Sequence, residues 1–118
     1  MGIRLVTILP TDAHTTDLTY QHLPAVQVVS GPAPRVGERL LGDVAGATVG
    51  IWEIEPSVTR DVEIDEVFVV LSGDATVQFE DGTPDLELRP GSLVRVHTGQ
   101  KTRWIVRDTL RKVFVAAT

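Results

Sequence analysis

Hydrophobic and polar residues alternate over most of the chain with the two-residue period of β-strands, not the 3.6-residue period of helices. Short runs rich in Val, Ile, Thr and Phe are separated by segments that contain Gly or Pro. This pattern predicts eight strands, at about residues 25–30, 48–55, 66–72, 75–80, 85–89, 93–97, 102–107 and 112–116. Eight short strands in a chain of 118 residues indicate one all-β domain, built as a barrel or a sandwich.

The segments between the predicted strands have the composition of tight turns. Residues 72–74, 80–84, 89–92 and 98–100 each contain a Gly, and two of these segments also contain a Pro. We therefore expect hairpins or corners at these four places. The first 47 residues are less regular, and a short capped helix within residues 11–23 is one possibility for part of them.

Strand alternation predicts which side chains share a face of the sheet. In residues 101–107, Trp104 falls on the face opposite the charged side chains, so we expect it to point inward. In residues 51–55, Trp52 and Ile54 point inward by the same argument.

The charged residues are distributed unevenly along the chain. Six of the 16 acidic residues lie between residues 53 and 66, and five of the 11 basic residues lie between residues 101 and 112. Because opposite charges on neighbouring strands stabilise a sheet, we expect Glu53 and Glu55 to face Arg103 or Arg107.

The overall charge and composition restrict the partners. The net charge of −5 argues against nucleic acid or an anionic membrane as a partner. No apolar stretch reaches the length of a membrane span, and the first residues lack the long apolar region of a secretory signal, so we expect a cytoplasmic protein. The absence of cysteine excludes disulfides and thiolate chemistry.

Two segments, DEVFVVLSGDATVQFEDG and LELRPGSLVRVHTGQKTRWIVRDTLRKVFV, together resemble the two-motif core of the cupin superfamily. Glu66 is followed by six residues and then Gly73, as in the first cupin motif. The usual metal-binding histidine positions fall on Arg60 and Val62, or on Thr59 and Asp61, so of four usual ligands only Glu66 is present. The resemblance therefore implies a cupin that has no tightly bound metal and needs no cofactor.

Four short motifs narrow the resemblance. They are Gly50-x-Trp52, Asp65-Glu66, Thr102-x-Trp104 and Arg111-Lys112, and they are similar to the small cupins of ethanolamine utilisation and of ureidoglycine processing. The resemblance implies an RmlC-like cupin jelly-roll β-barrel over residues 31–118, preceded by an arm and edge strands over residues 1–30.

Glu66 is the predicted catalytic residue, if the protein is an enzyme. Strand alternation places it on the same face as Phe68, so its carboxyl group is expected to point into an apolar barrel, where it is positioned for proton transfer. The alternative is a structural ion pair, with Arg60 as one candidate partner.

The predicted ligand-binding residues surround this glutamate. Trp52 and Trp104 would form an aromatic wall or simply fill the core, and Arg60 would bind a carboxylate or phosphate or face solvent. Lys112 would contact ligand or be a solvated charge. The full predicted set is Trp52, Arg60, Phe68, Thr102, Trp104 and Lys112.

Three functions remain open from the sequence. The favoured one is a small-molecule-binding cupin without a metal. The second is an enzyme that uses Glu66 for proton transfer or as a weak metal ligand, and the third is a purely structural or partner-binding module. The apolar run at residues 67–71 offers apolar side chains on both faces of its strand, so we also expect a homodimer.

Overall fold

The structure is a computed structural model that describes residues 10–117, and its regular secondary structure over this range is almost entirely antiparallel strands. A single turn of 3₁₀ helix, Ala25–Gln27, is the helical element in the described part. The strands are β1 (Thr19–His22), β2 (Val28–Ser30), β3 (Arg35–Val44), β4 (Ala47–Ile54), β5 (Ser57–Val62), β6 (Glu66–Phe79), β7 (Leu86–Leu88), β8 (Leu93–Val96) and β9 (Lys101–Ala116). Within residues 10–117, no helix is long and apolar enough to span a membrane.

The long strand β9 organises the sheet. Its first half pairs with β5, its second half pairs with β4, and β6 pairs with it along both halves. Strands β3 and β1 extend the sheet beyond β4, β2 extends it beyond β5, and β7 and β8 pair with β6. The result is one curled antiparallel sheet that forms a half-barrel around its inward-facing side chains.

The core lies on the concave face of this sheet. Alternation along β6 buries Phe68 and Val70, and alternation along β9 buries Trp104, Val106 and Phe114. Trp52 is partly buried and packs against this cluster. The predicted all-β class and the inward direction of both tryptophans are therefore confirmed.

The strand boundaries differ from the sequence prediction in several places. Residues 66–72 and 75–80 belong to one continuous strand, as do residues 102–107 and 112–116, whereas residues 25–30 are divided between the 3₁₀ turn and β2. The pattern missed β1, β3 and β5, which are edge or partly exposed strands with polar residues on both faces. The helix considered within residues 11–23 is absent: a turn after Asp12 leads into β1.

Gly73 explains why the predicted turn at residues 72–74 is no hairpin. The residue has a φ of +105°, and the register between β6 and β9 shifts on both sides of it. A Cβ at this position would lie 2.4 Å from the carbonyl oxygen of Thr109. The glycine therefore permits a bulge that lets β6 continue across the curled sheet. The turns predicted at residues 80–84, 89–92 and 98–100 are confirmed.

The predicted pairing of Glu53 and Glu55 with Arg103 or Arg107 is wrong. Strand β4 pairs with the second half of β9, where Glu53 is directly opposite Arg111 and Arg111 Nε donates to Glu53 Oε1 at 2.9 Å. Glu55 forms an ion pair with Arg35 of β3 instead, with Glu55 Oε2 at 3.7 Å from Arg35 Nε. Alternation gave the correct face, but it does not specify which part of a 16-residue strand is the neighbour.

Arg111 also fixes the N-terminal arm, which consists here of residues 12–18. Its Nη1 donates to the carbonyl oxygens of Ala13 at 3.0 Å and Thr16 at 3.2 Å. Tyr20 donates its hydroxyl to the other oxygen of Glu53 at 2.8 Å. The arm thus packs on the convex face of the sheet through an arginine of β9, more than 90 residues away in sequence.

Candidate functional site

A cavity of about 330 Å³ opens on the concave side of the half-barrel. Strands β4, β5, β6 and β9 provide its walls, and the segment between β5 and β6 closes one side. Its lining combines apolar and charged side chains: Leu23, Gln27, Glu38, Trp52, Ile54, Thr59, Arg60, Asp61, Val62, Glu63, Ile64, Glu66, Trp104, Lys112, Phe114 and Ala116.

A buried ion pair lies in this cavity. Lys112 Nζ donates to Glu66 Oε2 at 2.7 Å, and the two side chains are only 8% and 11% exposed. The prediction that Glu66 faces the interior is confirmed, but its partner is Lys112 and not Arg60. The alternative in which Lys112 is a solvated charge is wrong.

Three aromatic rings surround the Lys112 ammonium group. Its Nζ lies 4.7 Å from the ring centre of Trp52, 4.2 Å from that of Phe68 and 5.2 Å from that of Trp104. Each ring presents a face that attracts a cation, and the attraction strengthens where water is excluded. The rings and the carboxylate together compensate for removing this ammonium group from water.

The strand register brings these residues together. Trp52 of β4 is directly opposite Lys112 in β9, and Val70 of β6 is opposite Lys112 on its other side. Glu66 lies four residues before Val70, so its side chain is on the same face of β6 and reaches along the sheet to the ammonium group. The ring centres of Trp52 and Trp104 are 5.9 Å apart in an edge-to-face arrangement, which fixes both rings.

Glu63 is a site residue that the sequence analysis did not identify. Its Oε2 accepts hydrogen bonds from Thr102 Oγ1 at 2.6 Å and from Trp104 Nε1 at 3.1 Å, and the residue is only 6% exposed. Backbone hydrogen bonds to Gly99 and Gln100 hold it in position. Alternation from Thr59 through Asp61 leads to Glu63 on the same face, but this signal could not be used because β5 had not been predicted.

Asp61 has a perturbed acidity. Asp61 lies at the cavity mouth. The residue as a whole is exposed to solvent, but neighbouring protein atoms partly desolvate its carboxyl group. Desolvation by these atoms, followed by repulsion from Glu63, raises the pKa of Asp61 to about 6. It is therefore a carboxyl group of the cavity that changes its charge close to neutral pH.

The predicted ligand-binding residues fall into two groups. Trp52, Arg60, Trp104 and Lys112 line the cavity, as does Glu66. Phe68 and Thr102 lie behind the cavity wall, where Phe68 supports Lys112 and Thr102 supports Glu63. His14, His22 and His97 are all exposed, as expected for surface histidines.

The residues at the cupin metal position do not fit the usual metal-binding set. The Oε2 atom of Glu66 accepts a hydrogen bond from the Lys112 ammonium group. Arg60 or Thr59 occupies the position of the first metal-binding histidine of the cupin motif. Among residues 10–117, no group of three His, Asp or Glu side chains is arranged to hold a metal ion.

Solved structures with the same fold include two proteins that carry the name EutQ. EutQ of Clostridium difficile has a TM-score of 0.62 at 15% identity, and the match covers 87% of this chain and 96% of the EutQ chain. A putative ethanolamine utilization protein Q of Salmonella typhimurium has a TM-score of 0.59 at 17% identity, with 87% and 97% covered. A Pseudomonas syringae protein of unknown function has a TM-score of 0.74 at 20% identity, with 86% and 45% covered.

The curled antiparallel half-barrel, a fold shared with these structures, together with the match to a cupin family model, defines a cupin with the jelly-roll fold. More particularly, the chain belongs to the family of EutQ-like cupin domains, whose model matches residues 41–114. No curated protein matches the sequence significantly.

Proposed function

We propose that this cupin binds a small organic molecule in the barrel cavity, without a tightly bound metal. The observation that carries the proposal is the Lys112–Glu66 ion pair beneath three aromatic rings in a cavity of about 330 Å³. A concave site with apolar walls and a few fixed polar groups is the usual form of a small-molecule site. The two tryptophans offer flat surfaces, and Lys112, Glu63 and Asp61 offer polar contacts at defined positions.

The ion pair also supports the metal-free part of the proposal. A divalent cation at Glu66 would lie within a few ångströms of a buried ammonium group, where the repulsion between like charges is strong because little water screens it. Glu66 has one oxygen engaged by Lys112, and the neighbouring positions offer no imidazole. The lysine thus takes the place of a cation at this position.

The test combines a ligand screen with a matched variant. The chain contains two tryptophans, and both line the cavity, so their intrinsic fluorescence reports ligand entry. We expect a screen of small carboxylates, sugars, amides and amines to yield compounds that change this fluorescence and raise the unfolding midpoint. The double variant Glu66→Gln with Lys112→Met removes the charges and shortens the lysine side chain by only one atom, and it should lose these responses.

Two results would contradict the proposal. The first is near-stoichiometric metal in untagged protein that was purified without chelators, as measured by elemental analysis. The second is a set of hits whose affinity for the double variant equals that for the wild-type protein, which would place binding outside the cavity.

Asp61 supports a second candidate function, in which the cavity catalyses proton transfer on a small metabolite. Glu66 is the catalytic residue that the sequence predicts, but its Oε2 accepts a hydrogen bond from Lys112. Asp61 is better suited because its pKa of about 6 lets it accept and donate a proton near neutral pH. For a compound from the screen, a turnover rate that rises with an apparent pKa near 6 and disappears in Asp61→Asn would establish the enzyme. Binding without turnover would leave the binding function alone.

We further propose that the chain forms a homodimer through the convex face of β6 and β9. Val67 and Val115 are cross-strand neighbours on this face, and they are 41% and 43% exposed. Val69 and Val113 form the next pair of the same apolar row. An apolar sheet face of this kind is typical of an interface. Light scattering should give twice the mass of one chain for the wild-type protein and the mass of a single chain for Val67→Lys. A monomeric wild-type protein would contradict the proposal.

The cytoplasmic location and the division into an arm over residues 1–30 and a barrel over residues 31–118 stay predictions. Residues 1–9 lie outside the described part of the chain.

A further inference from the structure

A second concavity, here called the outer groove, lies on the convex face of the sheet. It has a volume of about 730 Å³ and is lined by Val26, Gln27, Val29, Arg60, Asp61, Val62, Gln78, Glu80, Lys101, Thr102 and Arg103. Strands β5 and β9 form its floor, and the segment around β2 forms one side. It shares Gln27, Arg60, Asp61 and Val62 with the lining of the barrel cavity, whereas Lys101 and Arg103 lie on the face of the sheet opposite Trp104.

Three cationic side chains meet in the outer groove. Arg60 of β5 is directly opposite Arg103 of β9, and Lys101 is opposite Val62 two residues further along. Alternation places these side chains on the face opposite Thr59 and Trp104, which are buried. Like charges directly opposite each other on neighbouring strands destabilise a sheet. The sheet therefore retains an arrangement here that lowers its own stability.

These cations are not neutralised within the described part of the chain. Of its ten basic residues, five form ion pairs: Arg35, Arg95, Arg107, Arg111 and Lys112. Arg60, Lys101 and Arg103 form none between residues 10 and 117. Asp61 and Glu80 line the same groove, but neither lies within ion-pair distance of these cations. Three cations that are unpaired within residues 10–117 thus occupy one groove of a chain whose net charge is −5.

We infer that the outer groove binds a phosphoryl dianion carried by a small organic molecule, that is, a phosphate monoester. Two opposed guanidinium groups each provide a planar pair of donors, which match the oxygens of a phosphoryl group, and Lys101 adds a point charge. A phosphate monoester carries between about −1.5 and −2 charges at neutral pH and three acceptor oxygens, so it balances this site better than a single carboxylate. Val26 and Val29 provide apolar surface for its organic part.

The test titrates phenyl phosphate into the protein and measures binding by isothermal titration calorimetry at low ionic strength. We expect saturable binding with a dissociation constant below about 1 mM. Arg60→Gln and Arg103→Gln should each weaken binding about tenfold, because each removes a charge-assisted donor pair. Arg89→Gln is the matched control, since it removes the same charge from an exposed turn outside the groove, and it should leave the affinity unchanged.

Two further titrations identify the ligand chemistry. Inorganic phosphate should bind more weakly than phenyl phosphate, and equal affinities would overturn the assignment to an organic monoester. Benzoate should also bind more weakly, and an equal affinity would show that the site does not select a phosphoryl group. Wild-type protein that does not saturate, or an Arg89→Gln variant as weak as Arg103→Gln, would overturn the site itself.

The unliganded variants separate a binding role from a structural one. Arg103→Gln should unfold at a midpoint no lower than that of the wild-type protein, because it removes one of two opposed like charges. A clearly lower midpoint would mean that Arg103 stabilises the sheet and would overturn the inference. The Glu66→Gln and Lys112→Met double variant should bind phenyl phosphate normally, so failure of the groove and failure of the cavity proposal are distinguishable.

Discussion

Lys112 and Glu66 are 46 residues apart in sequence, yet the ammonium group of one donates to the carboxylate of the other at 2.7 Å inside the barrel. Both side chains are almost fully buried, and three aromatic rings enclose the nitrogen. Each charge depends on the other, because an ionised group of this kind is costly to bury alone.

Removing one charge of this pair should therefore lower the free energy of unfolding more than removing both charges does. Lys112→Met leaves the Glu66 carboxylate buried without its cation, and we expect a loss of about 3 kcal/mol in the free energy of unfolding. The double variant with Glu66→Gln should recover most of this loss, because no unpaired charge remains. Urea denaturation of the single and double variants measures both values. A double variant as unstable as the single one would show that Lys112 acts through packing and not through the ion pair.

The Glu63 carboxylate should be stabilised jointly by its two neutral donors. Thr102→Val and Trp104→Phe each remove one hydrogen bond to the same oxygen, Glu63 Oε2, and each should cost about 2 kcal/mol. Because the two donors share one acceptor, their effects should not add in the double variant. A double-mutant cycle by chemical denaturation tests this coupling, and strictly additive losses would contradict it.

Arg111 should hold the N-terminal arm to the sheet. Arg111→Met removes the ion pair with Glu53 and the two hydrogen bonds to arm carbonyl oxygens, so we expect a loss of about 3 kcal/mol and faster proteolysis within residues 12–18. Tyr20→Phe is the control, since it removes one hydrogen bond to the same Glu53 and should cost about 1 kcal/mol. Equal cleavage rates in the Arg111 variant and the wild-type protein would show that the arm is held by other contacts.

Asp61 should make the protein less stable as the pH rises through the weakly acidic range. The folded state raises the pKa of Asp61 to about 6, so the folded protein binds the proton more tightly than the unfolded chain does. Its contribution to stability is present in full below pH 4 and is lost between about pH 4 and pH 6.

Asp61→Asn should remove this dependence. At pH 7 we expect the variant to be more stable than the wild-type protein by roughly 1 kcal/mol, a value reduced for the exposure of the residue, and equally stable at pH 4. Asp43→Asn, at an exposed position of β3, serves as the control. Thermal unfolding of the three proteins from pH 4 to pH 7 measures the differences, and parallel curves would contradict the raised pKa.

Gly73 should tolerate substitution much less than Gly82. Both have positive φ angles, of +105° and +88°, so alanine strains the backbone at either position. At Gly73, a Cβ would also lie 2.4 Å from the Thr109 carbonyl oxygen, whereas nothing lies within 4 Å at Gly82. We expect Gly73→Ala to cost about 3 kcal/mol and Gly82→Ala about 1 kcal/mol, as measured by urea denaturation. Similar losses would mean that β6 can move away from β9 at the bulge.

The sequence alone determined the fold class, several turns and the inward faces of the central strands. Local features suffice for these properties: alternation gives the face of Trp104 and Trp52. The resemblance of the segment around Glu66 and Gly73 to the first cupin motif implies the barrel. The sequence pattern did not predict β1, β3 and β5, because polar residues on both faces of these strands weaken the alternation.

Only the tertiary structure decided which residues meet. Alternation assigns a side chain to a face but does not fix the register between strands far apart in sequence, so Glu53 was matched with the wrong half of β9. For the same reason the partner of Glu66 was unknown, and Glu63 was overlooked. The opposed pair Arg60 and Arg103 likewise exists only through the register of β5 against β9. The chemistry of both the cavity and the outer groove is therefore set by long-range strand pairing.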